Sequence, residues 1–438
     1  PGAPKRPEDE PPSSGGGKGS GPRTPTPTAG TPSPAATQPT GATNGGSAGT
    51  GMPAPEGWPS TSLGHLLAAR PTAGSDSPEE SEWLRTVENQ CKGGLQQFQL
   101  QAKLRSSLLT PNAALLKFQG SQNLTVEQVL RRRSEFLTTH GINIISVKAE
   151  PGLVVISVAR PNRRILRLLD VWKAWHPECS HGNQELLIGV KEDNGSLLTL
   201  SPRRHAPHTL IAGSTGSGKS VLMQNIVLSI AATNTPAQSR ITLIDPKLGV
   251  DYFAFEGLPH ILGGIIDNQE RAIAVLKDLI AEMDRRYSVL RHNRAANIFD
   301  LNAKPDASEK LPYLWVIHDE FAEWMLTPEY CKGVSDIVAR LGVKARAAGI
   351  FLVFAAQRPD AGVMPMQLRA NLGNRLILRV DSEGTSEIAL GEKGAERLLG
   401  RGHLAAKLEG EDGIIMAQVP FVSSEELAEV VATIATHA

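Results

Sequence analysis

The first 60 residues contain no valine, isoleucine, leucine, phenylalanine or tyrosine, while holding 14 prolines and 13 glycines. Such a stretch cannot bury enough apolar surface to offset the entropy lost on ordering. Residues 1–82 are therefore read as a disordered linker rich in Pro, Gly, Ser and Thr, with folding expected to begin near Trp83. Long apolar runs are missing as well: none reaches the ~18 residues that a membrane-crossing helix needs, and no basic-then-apolar leader opens the chain. Cysteine is scarce. Cys91, Cys179 and Cys331 are odd in number, far apart and never in a C-x-x-C pair, which excludes a disulfide framework, gives no zinc signature and fits a reducing, cytoplasmic setting. Charge of one sign is lacking too: 45 Lys+Arg balance 45 Asp+Glu. That balance argues against coating of nucleic acid by bulk positive charge, but not against a grip through a few local loops. The chain opens at Pro1 rather than Met, as a fragment of a longer polypeptide or a processed product would.

What remains is ample for two domains. Residues 83–200 read as a small α+β domain. Ala114–Phe118, Ile142–Val147 and Leu153–Val158 look like strands, and Thr125 with Gln128 forms a capping box opening a helix that Gly141 would close. Arg163–Trp175 is helical in period, and Leu186–Val190 with Ser196–Leu200 forms a hairpin around Asn194-Gly195. Residues 201–438 change rhythm: Thr209–Ala212, Ile241–Ile244, Tyr313–Ile317, Ile350–Ala355 and Leu376–Val380 are short apolar runs separated by helical patterns. Strands alternating with helices predict an α/β fold with a mostly parallel sheet covered on both faces.

Gly213-Ser214-Thr215-Gly216-Ser217-Gly218-Lys219-Ser220 satisfies G-x-x-x-x-G-K-[ST] between an apolar strand and a helical pattern. Its glycines let backbone N–H groups face phosphates at a helix N-terminus. Lys219 would then bridge the β- and γ-phosphates of ATP, and Ser220 would coordinate Mg²⁺. A glycine turn that binds nothing is the plainer alternative. Leu314–Ile317 ends in His318-Asp319-Glu320; Asp319 is a magnesium ligand through water and Glu320 the base for an attacking water, unless the pair is a solvated acidic turn. Gln357, closing the next strand, is either a γ-phosphate sensor or an ordinary strand-end polar residue. Arg131-Arg132-Arg133 reads as a solvated helix face, His181 near Cys179 lacks further metal ligands, and His318 receives no role.

From Ala113 to Leu408 the chain resembles the FtsK/SpoIIIE family of hexameric double-stranded DNA translocases, whose motor is a RecA-like P-loop ATPase. Beyond the phosphate loop, the resemblance rests on Pro207-His208-Thr209-Leu210-Ile211-Ala212, Ile244-Asp245-Pro246-Lys247, Glu256-Gly257-Leu258-Pro259-His260, Glu282-Met283-Asp284-Arg285-Arg286-Tyr287, Asp319-Glu320-Phe321-Ala322, Lys344-Ala345-Arg346-Ala347-Ala348-Gly349, Gln357-Arg358-Pro359, Arg369-Ala370-Asn371 and Gly394-Ala395-Glu396-Arg397. It implies that Arg346 is an arginine finger reaching a neighbour's nucleotide in a homo-hexamer, although by itself Arg346 is one of several basic residues on a helix. It also implies that Arg358, Arg369 and Arg375 lie toward a channel where they contact double-stranded DNA, and that residues 83–200 stack on the motor ring. No winged-helix module is expected after Phe421, and Asp381-Ser382-Glu383 is unusually acidic for this region. The expectation is an ATP-driven DNA motor, with further complex subunits possible, in a conjugative or DNA-defence complex; the motif wording resembles motors of phosphorothioate-dependent restriction systems. A ring ATPase driving protein secretion and a nucleotide-gated assembly scaffold are the alternatives.

Overall fold

Fully buried, β-branched runs specify strands covered on both faces, and the computed structural model has such a sheet as its centre. It describes residues 61–68, 78–100, 102–360 and 362–436; the linker expected over residues 1–60 lies outside them. Helices α1 (Thr61–Ala68) and α2 (Pro78–Gln97) come first. With them folding starts before Trp83, a correction to the expected linker, for Leu63 of α1 is fully buried in the main core.

A four-stranded antiparallel sheet follows, made of β1 (Leu104–Leu109), β2 (Ala113–Gln119), β3 (Ile144–Glu150) and β4 (Leu153–Ala159) in the order β1-β2-β4-β3. Between β2 and β3 lie α3 (Val126–Arg131) and α4 (Arg133–His140). Thr125 Oγ1 accepts from Gln128 N while the Gln128 side chain accepts from Thr125 N, completing the expected capping box. Gly141, at φ 67°, closes α4. The one helix expected there is two, separated at Arg132.

The helix expected over Arg163–Trp175 shrinks to α5 (Leu168–Trp172). Phe421 O accepts from Leu168 N and Phe421 N donates to Leu166 O, which holds the preceding residues extended. The predicted hairpin forms as β5 (Leu186–Lys191) and β6 (Leu197–Leu200). It does not join the small sheet: β5 pairs with Ile415–Gln418 near the end of the chain. A boundary drawn at residue 200 therefore cuts through a sheet.

The remaining strands are β7 (His208–Ala212), β8 (Ser239–Ile244), β9 (Tyr313–His318), β10 (Ile350–Ala356), β11 (Asn374–Ile377), β12 (His403–Lys407) and β13 (Ile415–Gln418). The helices among and after them are α6 (Lys219–Thr233), α7 (Gln269–His292), α8 (Ile298–Ala303), α9 (Phe321–Trp324), α10 (Pro328–Ala348), α11 (Met366–Asn371), α12 (Glu383–Leu390) and α13 (Ser424–Ala435). The nine-stranded sheet runs β6-β5-β13-β12-β11-β7-β10-β9-β8. Its five strands from β11 to β8 pair parallel and the other four antiparallel. The α/β class is as expected. Alternate residues of β7 serve opposite faces: Ile211 packs with α6 and α13, Leu210 and Ala212 with α7 and α10.

Burial sets one acid-sensitive feature of this fold. His208 Nδ1 accepts from Leu352 N at 3.1 Å in the centre of the sheet, and burial pushes its pKa down from 6.5 to about 4. Burial also lowers His260, whose Nε2 donates to Asn234 O. Both rings are neutral when folded and free to protonate when unfolded, so the unfolded chain binds more protons below pH 6.5. Their contribution to stability is complete above that pH and declines as the pH falls toward 4. Urea midpoints measured as a function of pH should fall over that interval, and a midpoint rising on acidification would contradict it.

Candidate active site

Because β7, β8, β9 and β10 run parallel, their carboxyl ends deliver four segments to one edge: the phosphate loop, Asp245–Asp251, Asp319–Glu320 and Gln357. With β10 between β7 and β9, Gln357 falls between the phosphate loop and the acidic pair. Lys219, Ser220, Asp319, Glu320 and Gln357 thus share one edge of the sheet. An open cleft of about 400 Å³, lined by Lys247, Glu320, Gln357 and Arg358 among others, leads to it.

Lys219 Nζ is ion-paired with Asp319 Oδ1 and lies 3.5 Å from Glu320 Oε2, all three side chains being buried. Burial alone would lower the Lys219 pKa; the two carboxylates outweigh it and raise it, so the ammonium keeps its charge. Tyr252, buried and facing Asp319, has its phenol pKa raised and donates to Asp319 Oδ2 at 2.8 Å. Glu320 Oε1 accepts from Gln357 N at 3.0 Å. Its Oε2 receives no hydrogen bond, although Lys247 Nζ also stands 3.5 Å away. Glu320 itself occupies the left-handed region, φ 43° and ψ 37°, a conformation that costs a residue with a Cβ about 1–2 kcal/mol. Buried Asp245 accepts from the Lys247 and Gly249 backbone N–H groups, and burial raises its pKa. Asp251 and Tyr252 are site residues that motif reasoning did not single out, and Lys247 stands in a quoted motif without a role; all three come from a loop whose fold, with Leu248 at φ 61°, has no local signature.

The phosphate loop is braced from behind. Gly402 N donates to Ser217 O at 2.6 Å and Arg401 N to Gly216 O at 3.2 Å. The approach is so close that a Cβ on Gly218, at φ 102°, would sit 2.6 Å from Gly402 N, and one on Gly402 would sit 2.7 Å from Gln418 Nε2. Arg163 Nη2 in turn donates to Gln418 Oε1 at 3.1 Å, and Arg163 Nε to Asn112 Oδ1 at 2.8 Å. A stack therefore runs from the phosphate loop to the small sheet. Gly402→Ala should displace the loop and weaken ATP binding about tenfold or more, roughly one net hydrogen bond's worth; calorimetric titration with ATP checks this, and unchanged affinity would refute the brace.

Of the expected magnesium ligands, Ser220 Oγ donates to Asp251 Oδ2 at 3.0 Å, and Asp319 is engaged by Lys219 and Tyr252. Among the described residues no group of three or more His, Cys, Asp and Glu forms a metal cage. A hydroxyl with one or two carboxylates still fits Mg²⁺, a hard ion that commonly completes its shell with water and substrate phosphates.

Arg346 does not join this cluster. It lies in the last turn of α10, which Gly349 closes before β10 begins, so it stands at the opposite edge of the sheet. The length of β10 separates it from its own phosphate loop by about 20 Å. Its Nη2 pairs with Glu409 Oε1 at 3.0 Å. Arg358 is strongly exposed on the cleft rim, 3.5 Å from Asp381 Oδ2, and Arg369 is half-buried on α11. Arg375 differs from the expected DNA contact. Its guanidinium donates to the carbonyls of Ile388 and Ala389, closing α12, and to that of Arg369, so it is spent on structure.

Among the described residues no helix is long and apolar enough to cross a membrane. The FtsK/SpoIIIE family model matches residues 173–361. The chain is 32% identical over 349 residues to DNA translocase FtsK of Staphylococcus aureus strain Mu50, covering 77% of this chain and 43% of that protein. To DNA translocase FtsK of Campylobacter jejuni it is 31% identical over 342 residues, covering 77% and 36%; it thus spans less than half the length of these relatives. The pCW3 conjugation coupling protein TcpA shares the fold, with a TM-score of 0.55 at 22% identity over 79% of this chain and 98% of that one. The cytoplasmic domain of the Type VII secretion ATPase EccC of Thermomonospora curvata gives a TM-score of 0.50 at 28% identity, over 60% and 32%. With the phosphate loop, the acidic strand end and the sheet order already in hand, these likenesses mean that the chain belongs to the FtsK/SpoIIIE family.

Proposed function

We propose that this chain hydrolyses ATP to drive double-stranded DNA through a homo-hexameric ring in the cytoplasm. The observation carrying the reading is the division of reactive groups between two edges of one sheet: Lys219, Ser220, Asp319, Glu320 and Gln357 at one, Arg346 at the other. A single copy cannot bring its own Arg346 to its own phosphates, so the finger serves the next copy. Likeness to proteins called DNA translocases supports the cargo. The motif wording favours a conjugative or DNA-defence complex with further subunits.

In this reading the loop from Gly213 to Ser220 turns its N–H groups toward the phosphates at the positive end of α6. Lys219 exchanges its carboxylate contacts for the β- and γ-phosphates. Ser220 and Asp319 would hold Mg²⁺, which when bound would neutralise phosphate charge. Glu320 orients a water and takes its proton on Oε2, the oxygen without a hydrogen-bond donor. Gln357, beside both groups, registers the γ-phosphate, and the neighbour's Arg346 spreads the charge of the transferring phosphoryl group. Arg358 and Arg369 touch DNA phosphates, contacts that depend on salt and not on base sequence. A protein cargo is the second reading, favoured by the 28% identity to the secretion ATPase EccC.

ATP turnover should rise on adding linear duplex DNA at low salt; a rate indifferent to duplex would remove the DNA reading. Glu320→Gln should lower kcat by about 100-fold or more, and Arg346→Ala by ~10³-fold. Mixing these two inactive variants should restore part of the turnover, because some interfaces then combine an intact Glu320 with an intact Arg346. No recovery on mixing would sink the shared site.

A further inference from the structure

His318, one residue before the acidic pair, is fully buried and has no role in the steps above. Phe321, Trp324, Tyr330 and Phe354 surround its ring edge-on, with centroids 5.4–6.2 Å away, so the ring has one orientation. Its Nδ1 lies 2.8 Å from Asp319 O, and its Nε2 lies 2.7 Å from Tyr330 Oη. A carbonyl can only accept, so Nδ1 carries the proton. The other ring nitrogen, Nε2, is paired with the Tyr330 hydroxyl, which backs the ring from behind. The other end of the same peptide is held as well: Glu320 N donates to Asp319 Oδ1 at 2.8 Å. Both polar atoms of the Asp319–Glu320 peptide are thus fixed, and that peptide plane sets the φ of Glu320.

We propose that His318 is a positioning residue for hydrolysis: backed by Tyr330, it clamps the Asp319–Glu320 peptide so that Glu320 stays left-handed and aims its carboxylate into the cleft. Without the clamp, Glu320 relaxes to negative φ and its carboxylate swings away from Gln357 N and Lys219. Nucleotide binding, which uses the phosphate loop, is left intact. The inference rests on the reading of Glu320 as the base.

Three variants of the full chain test it. His318→Val removes the donor, His318→Asn keeps an amide N–H near the Nδ1 position, and Tyr330→Phe removes only the hydroxyl behind the ring. His318→Val should lower kcat for ATP about tenfold, the kinetic value of one net hydrogen bond, with the Kd for ADP close to that of the unaltered chain although the thermal midpoint falls with the buried hydrogen bonds lost. His318→Asn should recover most of kcat, and Tyr330→Phe should lose about threefold. A crystal structure of His318→Val should have Glu320 at negative φ. Unchanged kcat in His318→Val, an equal loss in His318→Asn, or ADP affinity falling in step with kcat would each overturn the clamp. Should His318→Val fail to fold, Tyr330→Phe decides, and full turnover there is fatal. If the unaltered chain itself hydrolyses no ATP, the proposed function fails, while the φ of Glu320 in the variants still decides the clamp.

Discussion

An ammonium buried between two carboxylates, Lys219 with Asp319 and Glu320, is the interaction on which the candidate site depends. Burying such an ion alone is far more costly than burying it paired. The pairing demands that the first turn of α6 and the end of β9 meet, although 100 residues separate Lys219 from Asp319. Parallel register meets that demand: Ile244 and Phe354 both lie level with His318, and Ala356 lies level with Ala212. A triphosphate anion that takes over Lys219 would leave Asp319 with the Tyr252 hydrogen bond, and Glu320 with Gln357 N and with Lys247 Nζ 3.5 Å away.

The antiparallel strands explain why the loop facing that anion holds its shape. The turn before β12 contributes the N–H groups of Arg401 and Gly402 to the phosphate-loop carbonyls, and Val419 N, just past β13, donates to Gly402 O. On the far side of β13, Glu192 accepts from Asn112 Nδ2 at 2.7 Å and approaches His403 Nε2 at 3.4 Å. Burial would raise the Glu192 pKa, yet the nearby His403 ring and the hydrogen bond from Asn112 bring it below its ordinary value, so the carboxylate remains ionised at the seam. The small sheet is therefore tied to the phosphate loop through the hydrogen bonds of Asn112, Arg163, Glu192 and Gln418.

Legibility in the sequence followed the range of the interaction. Phosphate loop, acidic strand end and Gln357 were readable because each is a local pattern at the end of an apolar run. Parallel strands were readable because burial on both faces leaves runs such as Ile350-Phe351-Leu352-Val353. Strands β12 and β13 were not: His403-Leu404-Ala405-Ala406-Lys407 has weak strand propensity and is held by its neighbours. The β5–β6 hairpin was seen, but its partner β13 lies more than 200 residues onward, and no local signal names a distant partner. Lys247, Tyr252, Gly402 and Arg375 were missed or misread for the same reason, since what each side chain meets is decided by loops far away in the chain.

Helix α10 joins the two edges that the chemistry needs. Near its start the Tyr330 hydroxyl pairs with His318, beside the acidic pair; its last turn carries Arg346 at the opposite edge. Packing against α7 leaves the helix little room to bend: Arg286, fully buried, donates from Nη1 to Ala348 O, and Tyr287 Oη donates to Lys344 O. A helix held in this way moves as a body. In the proposed ring, a force applied at Arg346 would be delivered at Tyr330, against the residue that holds the Asp319–Glu320 peptide, so the proposed finger and base would answer to one rigid element.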